Sequence, residues 1–169
     1  MPYICIATPF GQLTVFADGD ALVAVEWGRA PAPETDETPL LRAAREQLEA
    51  YCDGTLRRFT LPLVPAGTPF QQRVWSRLRA IPYGACASYG ALARELGTAP
   101  RALAGACASN PLPILIPCHR VVGARGGLGG YSGGDGIETK RALLRLEGTI
   151  PAPGATAAAA DGTAWEERR

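Results

Sequence analysis

The chain is poor in the residues that most often build metal centres. Its 169 residues include one histidine, His119, and one lysine, Lys140, among seventeen basic residues. The cysteines lie scattered at 5, 52, 86, 107 and 118, with no CxxC pair. One imidazole and isolated thiols make no tetrahedral ligand set, so no metal is expected. An odd number of unpatterned cysteines also argues against a disulfide framework and for a reducing compartment. No apolar run approaches the roughly 20 residues that cross a bilayer. The opening "MPYICIATPFG" lacks the charged start and long apolar core of a secretory signal. A cytoplasmic protein without membrane contact is expected. The glycine-rich stretch "GARGGLGGYSGGDG" is not followed by Gly-Lys-Ser/Thr and does not open a helix, which excludes a P-loop and a dinucleotide fingerprint. Its glycines allow a sharp turn or close backbone approach to a ligand.

Charge is present but unevenly placed. Residues 1–65 hold five arginines against nine acids, whereas 66–147 hold ten basic residues against four acids. The second segment is basic enough to face a polyanion, although charge alone is explained as well by a solvated surface.

The organisation follows from periodicity and caps. "YICIA", "LTVFA" and "ALVAVEW" are short, alternating and separated by "TPFG" and "DGD", which predicts an antiparallel meander. "APAPETDET" is a Pro-rich loop. Thr38-Pro39 opens a helix whose inner face is Leu41, Ala44, Leu48 and Tyr51, closed by Gly54. "RRFTLPLVP" is expected to return as a strand. In the second segment, Thr68 and Gln71 form a capping-box pair ahead of an apolar face of Phe70, Val74, Trp75, Leu78 and Ile81. Ser88 caps a short helix with Leu92 and Leu96 inward and Gly97 at its end, and Pro100 starts the next, "PRALAGACAS". Two short helices around a glycine turn suggest a helix-turn-helix, and small side chains let the second lie close to a neighbouring helix or a nucleic-acid groove. "ETKRALLRLEG" is a last helix, and residues 149–169 are a low-complexity tail.

Chemistry concentrates in "NPLPILIPCHRVVG", residues 110–123. A thiolate is nucleophilic and an imidazole can take its proton. Neighbouring side chains diverge in regular helix or strand, so Cys118 and His119 need an irregular backbone or a bridging water, which Pro117 makes feasible. On these residues alone, a nucleophile and an inert buried cysteine are equally open. A carboxylate would orient the imidazole, and Glu147 is one of several candidates.

"IPCHRVVG" closely resembles the signature of the O6-alkylguanine-DNA alkyltransferases, whose core is Pro-Cys-His-Arg-Val. "GTPFQQRVWSRLRAIPYG", "SYGALA", "GGYSGG" and "KRALLRLEG" stand in that family's order, so the resemblance covers about residues 67–148. The resemblance implies an α/β ribonuclease-H-like N-terminal domain (1–65). It also implies a mainly α-helical C-terminal domain (66–148) with a helix-turn-helix, winged-helix-like DNA-binding unit. It implies transfer of an alkyl group from O6-alkylguanine, with O4-alkylthymine as a second candidate substrate, in double-stranded DNA to Cys118, in a single turnover without a cofactor. His119 would act through a water, Glu147 would orient it, Asn110 would buttress the site and Tyr89 would donate a proton to the guanine. The protein would act as a monomer at the minor groove on a flipped base, with Arg101 filling the vacated place. Ala102, Tyr89 and Arg120 would also meet DNA. Pro113 and Tyr131 would wall the alkyl pocket, Ser132 would bond O6 through its backbone, and the carbonyls of Cys118 and Val121 would take the exocyclic amine. The chain departs from the family at Cys86-Ala87, where an arginine often stands and a phosphate contact is expected to be lost, and at Cys107, where asparagine is common. Two other readings remain on the sequence. One is a non-catalytic binder of alkylated DNA, opposed by Cys118, since such proteins usually carry tryptophan there. The other is a cysteine hydrolase or a helix-turn-helix regulator.

Overall fold

A computed structural model describes residues 1–31 and 37–150. The chain forms two compact units. The first comprises residues 1–66 with 111–115, and the second residues 67–110 with the chain from 116 onward.

In the first unit, strands β1 (Tyr3–Thr8), β2 (Gly11–Asp18) and β3 (Ala21–Trp27) form the expected antiparallel meander in the order β1-β2-β3. Tyr3 stands opposite Phe16 and Val15 opposite Val25, with a register shift at Phe16/Ala17. Helix α1 (Pro39–Cys52) begins where Thr38 accepts a hydrogen bond from the Leu41 amide, a cap that contributes about 1 kcal/mol. Its buried residues are the four that the 3.6-residue period selects, Leu41, Ala44, Leu48 and Tyr51. Burying each large one contributes roughly 1.5–3 kcal/mol.

One expectation is corrected here. "RRFTLPLVP" is not a strand: it makes one parallel bridge, Leu63 to Leu22, through Leu22 N–H to Pro62 O and Val64 N–H to Leu22 O. Pro62 and Pro65 have no N–H to extend the ladder. The aliphatic run before Cys118 is buried at Leu112, Ile114, Leu115 and Ile116, and it turns on the way. Ile114 sits at φ 73, in the left-handed region that a β-branched side chain enters at a cost of about 1–3 kcal/mol. Part of the loop 30–38 and the tail from 151 lie outside the described residues.

The second unit starts with helix α2 (Pro69–Arg79), whose capping box is complete: Thr68 Oγ1 accepts from Gln71 N–H, and Gln71 Oε1 accepts from Thr68 N–H. Val74, Trp75, Leu78 and Ile81 are buried, while Phe70 is half-buried. A two-residue strand β4 (Ala87–Ser88) leads into α3 (Tyr89–Leu96), capped by Ser88 and ended by Gly97 in the left-handed conformation, φ 67. Helix α4 (Pro100–Ala108) follows and packs against α3 and α2. Trp75 Nε1–H donates to Ala106 O at 2.8 Å, and Arg73 and Arg77 reach Leu96 O and Glu95, so α2 grips both helices. Strand β5 (Val121–Val122) pairs in parallel with β4, and α5 (Ile137–Leu146) closes the unit. Cys86, Val122 and Leu144 form a cluster against which Leu128 and Ile150 pack. The packed chain therefore continues past Gly148 through Thr149, which is also buried, so these two residues are not part of a loose tail.

Candidate active site

Residues 118–120 form one turn of 3-10 helix between Pro117 and β5, closed by Arg120 N–H to Pro117 O at 3.0 Å. This is the irregular backbone that the Cys-His adjacency required. With three residues per turn, the side chains of Cys118, His119 and Arg120 leave in three directions.

His119 is fully buried, and its Nε2 lies 2.7 Å from Glu147 Oε2. Burial alone would push the Glu147 carboxyl up, but His119 and Arg120 outweigh it and hold it well below the usual carboxylate range. An ionised carboxylate only accepts, so Nε2 carries a proton and donates it to Glu147. Nδ1 is buried and has no hydrogen-bond partner among the described residues. The ring is thus held at one nitrogen, with the other left unpartnered among the described residues.

Arg120 corrects the expectation of a DNA contact. It is buried: Nε donates to Glu147 Oε1 at 2.8 Å, one terminal nitrogen to Glu147 Oε2 at 3.1 Å, and the other to Ile81 O at 2.7 Å. Three of its five N–H donors are taken in this way, two of them by a buried carboxylate. Cys86 and Ala87 are buried as well, so the departure there falls in the core and not on a DNA-facing surface.

Cys118 is buried, and burial pushes its thiol up. A hydrogen bond from Asn110, the charge of Lys140 and a local backbone hydrogen bond oppose that shift without cancelling it. At rest the sulfur is therefore a thiol and needs a base to become a nucleophile. Asn110 is fixed by Nδ2–H donating to Ile116 O at 2.8 Å. Cys107 is buried, and desolvation, reinforced by Cys118, pushes it up to about 12.

Sequence reasoning missed Lys140. It is fully buried, and its Nζ donates to Val121 O at 2.6 Å, Gly130 O at 3.1 Å and Tyr89 Oη at 3.3 Å. The ammonium also lies 5.4 Å from the centre of the Tyr89 ring. The clue was spacing: 140, 143, 144 and 147 form one helical stripe, so the stripe that buries Leu143 and Leu144 must bury Lys140 and Glu147 too. Tyr89 is half-buried, and burial pushes its phenol up. The glycine-rich loop passes directly over that ring. A Cβ on Gly129, at φ 74, would come within 2.5 Å of Tyr89, so this glycine serves a close approach to a side chain.

Of the remaining residues, Val121 meets this cluster through its carbonyl, which accepts from Lys140. Arg101 and Ala102 are exposed in the first turn of α4, with Gly105 and Ala108 on the same open side. Tyr131 is half-buried and Ser132 exposed in the glycine-rich loop, and Val121 is buried in β5. Pro113 is buried within the segment 111–115 of the first unit. No group of three His, Cys, Asp or Glu that could hold a metal occurs among the described residues, and no helix there is long and apolar enough to cross a membrane.

Comparison with known proteins finds matches over nearly the whole described chain. Residues 69–149 match the model of the 6-O-methylguanine DNA methyltransferase DNA-binding domain, and residues 1–65 that of the same protein's ribonuclease-like domain. The methylated-DNA--protein-cysteine methyltransferase of Haemophilus influenzae is 40% identical over 154 residues, covering 86% of this chain and 85% of that protein. That of Mycobacterium tuberculosis is 44% identical over 153 residues, covering 86% and 91%. The crystal structure of the Mycobacterium tuberculosis O6-methylguanine methyltransferase superposes with a TM-score of 0.77 at 41% identity, covering 91% of this chain and 96% of that one. The structure of that organism's OGT in complex with DNA gives 0.74 at 40% identity, covering 87% and 92%. With both units matched, the chain belongs to the 6-O-methylguanine DNA methyltransferase family.

Proposed function

We propose that this protein repairs O6-alkylguanine in DNA by moving the alkyl group to Cys118, once per molecule. The observation that carries the reading is the His119 ring, fixed at Nε2 by Glu147 with Nδ1 unpartnered among the described residues, next in the chain to a buried thiol that needs a base. A water relays the thiol proton to Nδ1. The sulfur then attacks the alkyl carbon as the carbon–O6 bond breaks, and guanine leaves with a proton from Tyr89. The thioether has no leaving group comparable to an acyl-thioester's, so Cys118 is consumed.

Duplex DNA is the partner, approached through the minor groove with the damaged base flipped out of the stack, at a cost of a few kcal/mol. Arg101 on the open face of α4 fills the vacated place, and the small side chains behind it let the helix approach closely. In the pocket, Ser132 N–H meets O6, and the carbonyls of Cys118 and Val121 take the exocyclic amine. The Val121 carbonyl already accepts from Lys140 and retains a second lone pair for this. Asn110 steadies the thiol. The protein acts as a monomer in the cytoplasm, where free thiols persist.

The test is stoichiometry. Excess duplex carrying O6-[methyl-labelled]guanine should lose one methyl group per protein molecule in a burst and then no more. Continued turnover would contradict the reading.

A further inference from the structure

Lys140 has no task in the alkyl-transfer scheme, yet it is completely buried and pairs with no carboxylate among the described residues. Burial disfavours the ammonium and lowers its pKa to about 8, which still leaves it mainly charged at neutral pH. Its acceptors are two backbone carbonyls and one phenol. The phenol is the informative one. A phenolic oxygen that accepts from an ammonium cannot direct its own hydrogen back at it. The acceptor left to Tyr89 is Gly130 O at 3.4 Å, a long contact to a carbonyl that Lys140 already engages at 3.1 Å. The phenolic proton is therefore weakly held within the chain, and the loop at Gly129 runs close enough to the ring that a Cβ there would clash with it.

We propose that Lys140 is a positioning residue that directs the Tyr89 proton to the departing guanine and then holds the resulting phenolate. The inference rests on the alkyl-transfer reading and deepens it. As the sulfur–carbon bond forms and the carbon–O6 bond breaks, the electron pair of the broken bond passes to the guanine. The guanine takes the Tyr89 proton, the phenolate faces the Lys140 ammonium, and the thiol proton rests on His119. Nothing is oxidised, and solvent restores the phenol after the product leaves.

The test compares two electrophiles on full-length protein. Guanine needs a proton to depart, whereas the iodide of iodoacetamide does not. Single-turnover rates with saturating O6-methylguanine duplex and with iodoacetamide are read on the Cys118 peptide by mass spectrometry. Lys140→Met should slow the guanine reaction on the order of 10- to 100-fold more than the iodoacetamide reaction. The excess should vanish in a Tyr89→Phe background. Loss of thiolate or of folded protein slows both electrophiles alike and cancels in the ratio. Lys140→Gln, which keeps N–H donors without charge, replaces the methionine variant if that does not fold. Equal slowing of both electrophiles, or an excess that persists undiminished with Tyr89→Phe, would overturn the proposal. Wild-type protein that reacts with iodoacetamide but not with the duplex would overturn the alkyl-transfer reading itself.

Discussion

Cys118 and Glu147 are both buried, but their surroundings push them opposite ways. Burial keeps Cys118 a thiol, while His119 and Arg120 keep Glu147 ionised against the same desolvation. The consequence for stability has a definite sign. A carboxyl held low in the fold stabilises it above the unfolded value of about 4.3, and that contribution is lost as pH falls toward the folded value. Glu147→Gln leaves the Arg120 guanidinium buried without a counter-charge and should destabilise the protein by about 3 kcal/mol at neutral pH. Urea unfolding should show the gap to wild type narrowing below about pH 4. A gap that stays constant would mean that Glu147 is not the charge holding this cluster. Cys118 and His119 were legible in the sequence because the chain has one histidine and it adjoins a thiol. Lys140 and Arg120 were not, because a cation reads as surface unless its stripe is followed to the residues that share it.

At the scale of elements, the helices were legible to within a residue or two. Thr38, Thr68 and Ser88 cap, Gly97 stops, and Leu41, Leu48, Val74 and Leu78 keep the helical period. The failures have backbone causes. Pro62 and Pro65 starve the "RRFTLPLVP" segment of donors, and the turn at Ile114 uses a left-handed residue where no glycine announces it. Helix α4 lacks a side-chain cap, since Ala99 stands at its start, but Pro100 marks it as well. Its exposed Arg101 provides the prediction at this scale. Arg101→Ala should slow repair in duplex DNA on the order of 100-fold, the equivalent of a few kcal/mol of unstacking. Reaction with the free base O6-benzylguanine should change far less, because no base needs flipping. Equal losses on the two substrates would remove the finger role.

For the whole molecule, the net charge of +1 conceals a division of labour between an acidic first segment and a basic second one. DNA affinity should follow the second. Fluorescence anisotropy with a short duplex should show log Kd rising linearly with log salt concentration, as release of counterions from contacted phosphates requires. A flat response would mean that the basic residues of the second segment do not meet the backbone. The most direct measurement remains the chemistry itself. After incubation with duplex containing O6-methylguanine, peptide mass spectrometry should find one methyl group on the Cys118 peptide, none on the other four cysteines, and none anywhere in Cys118→Ser. An unmodified Cys118 in protein that has demethylated the DNA would contradict the account.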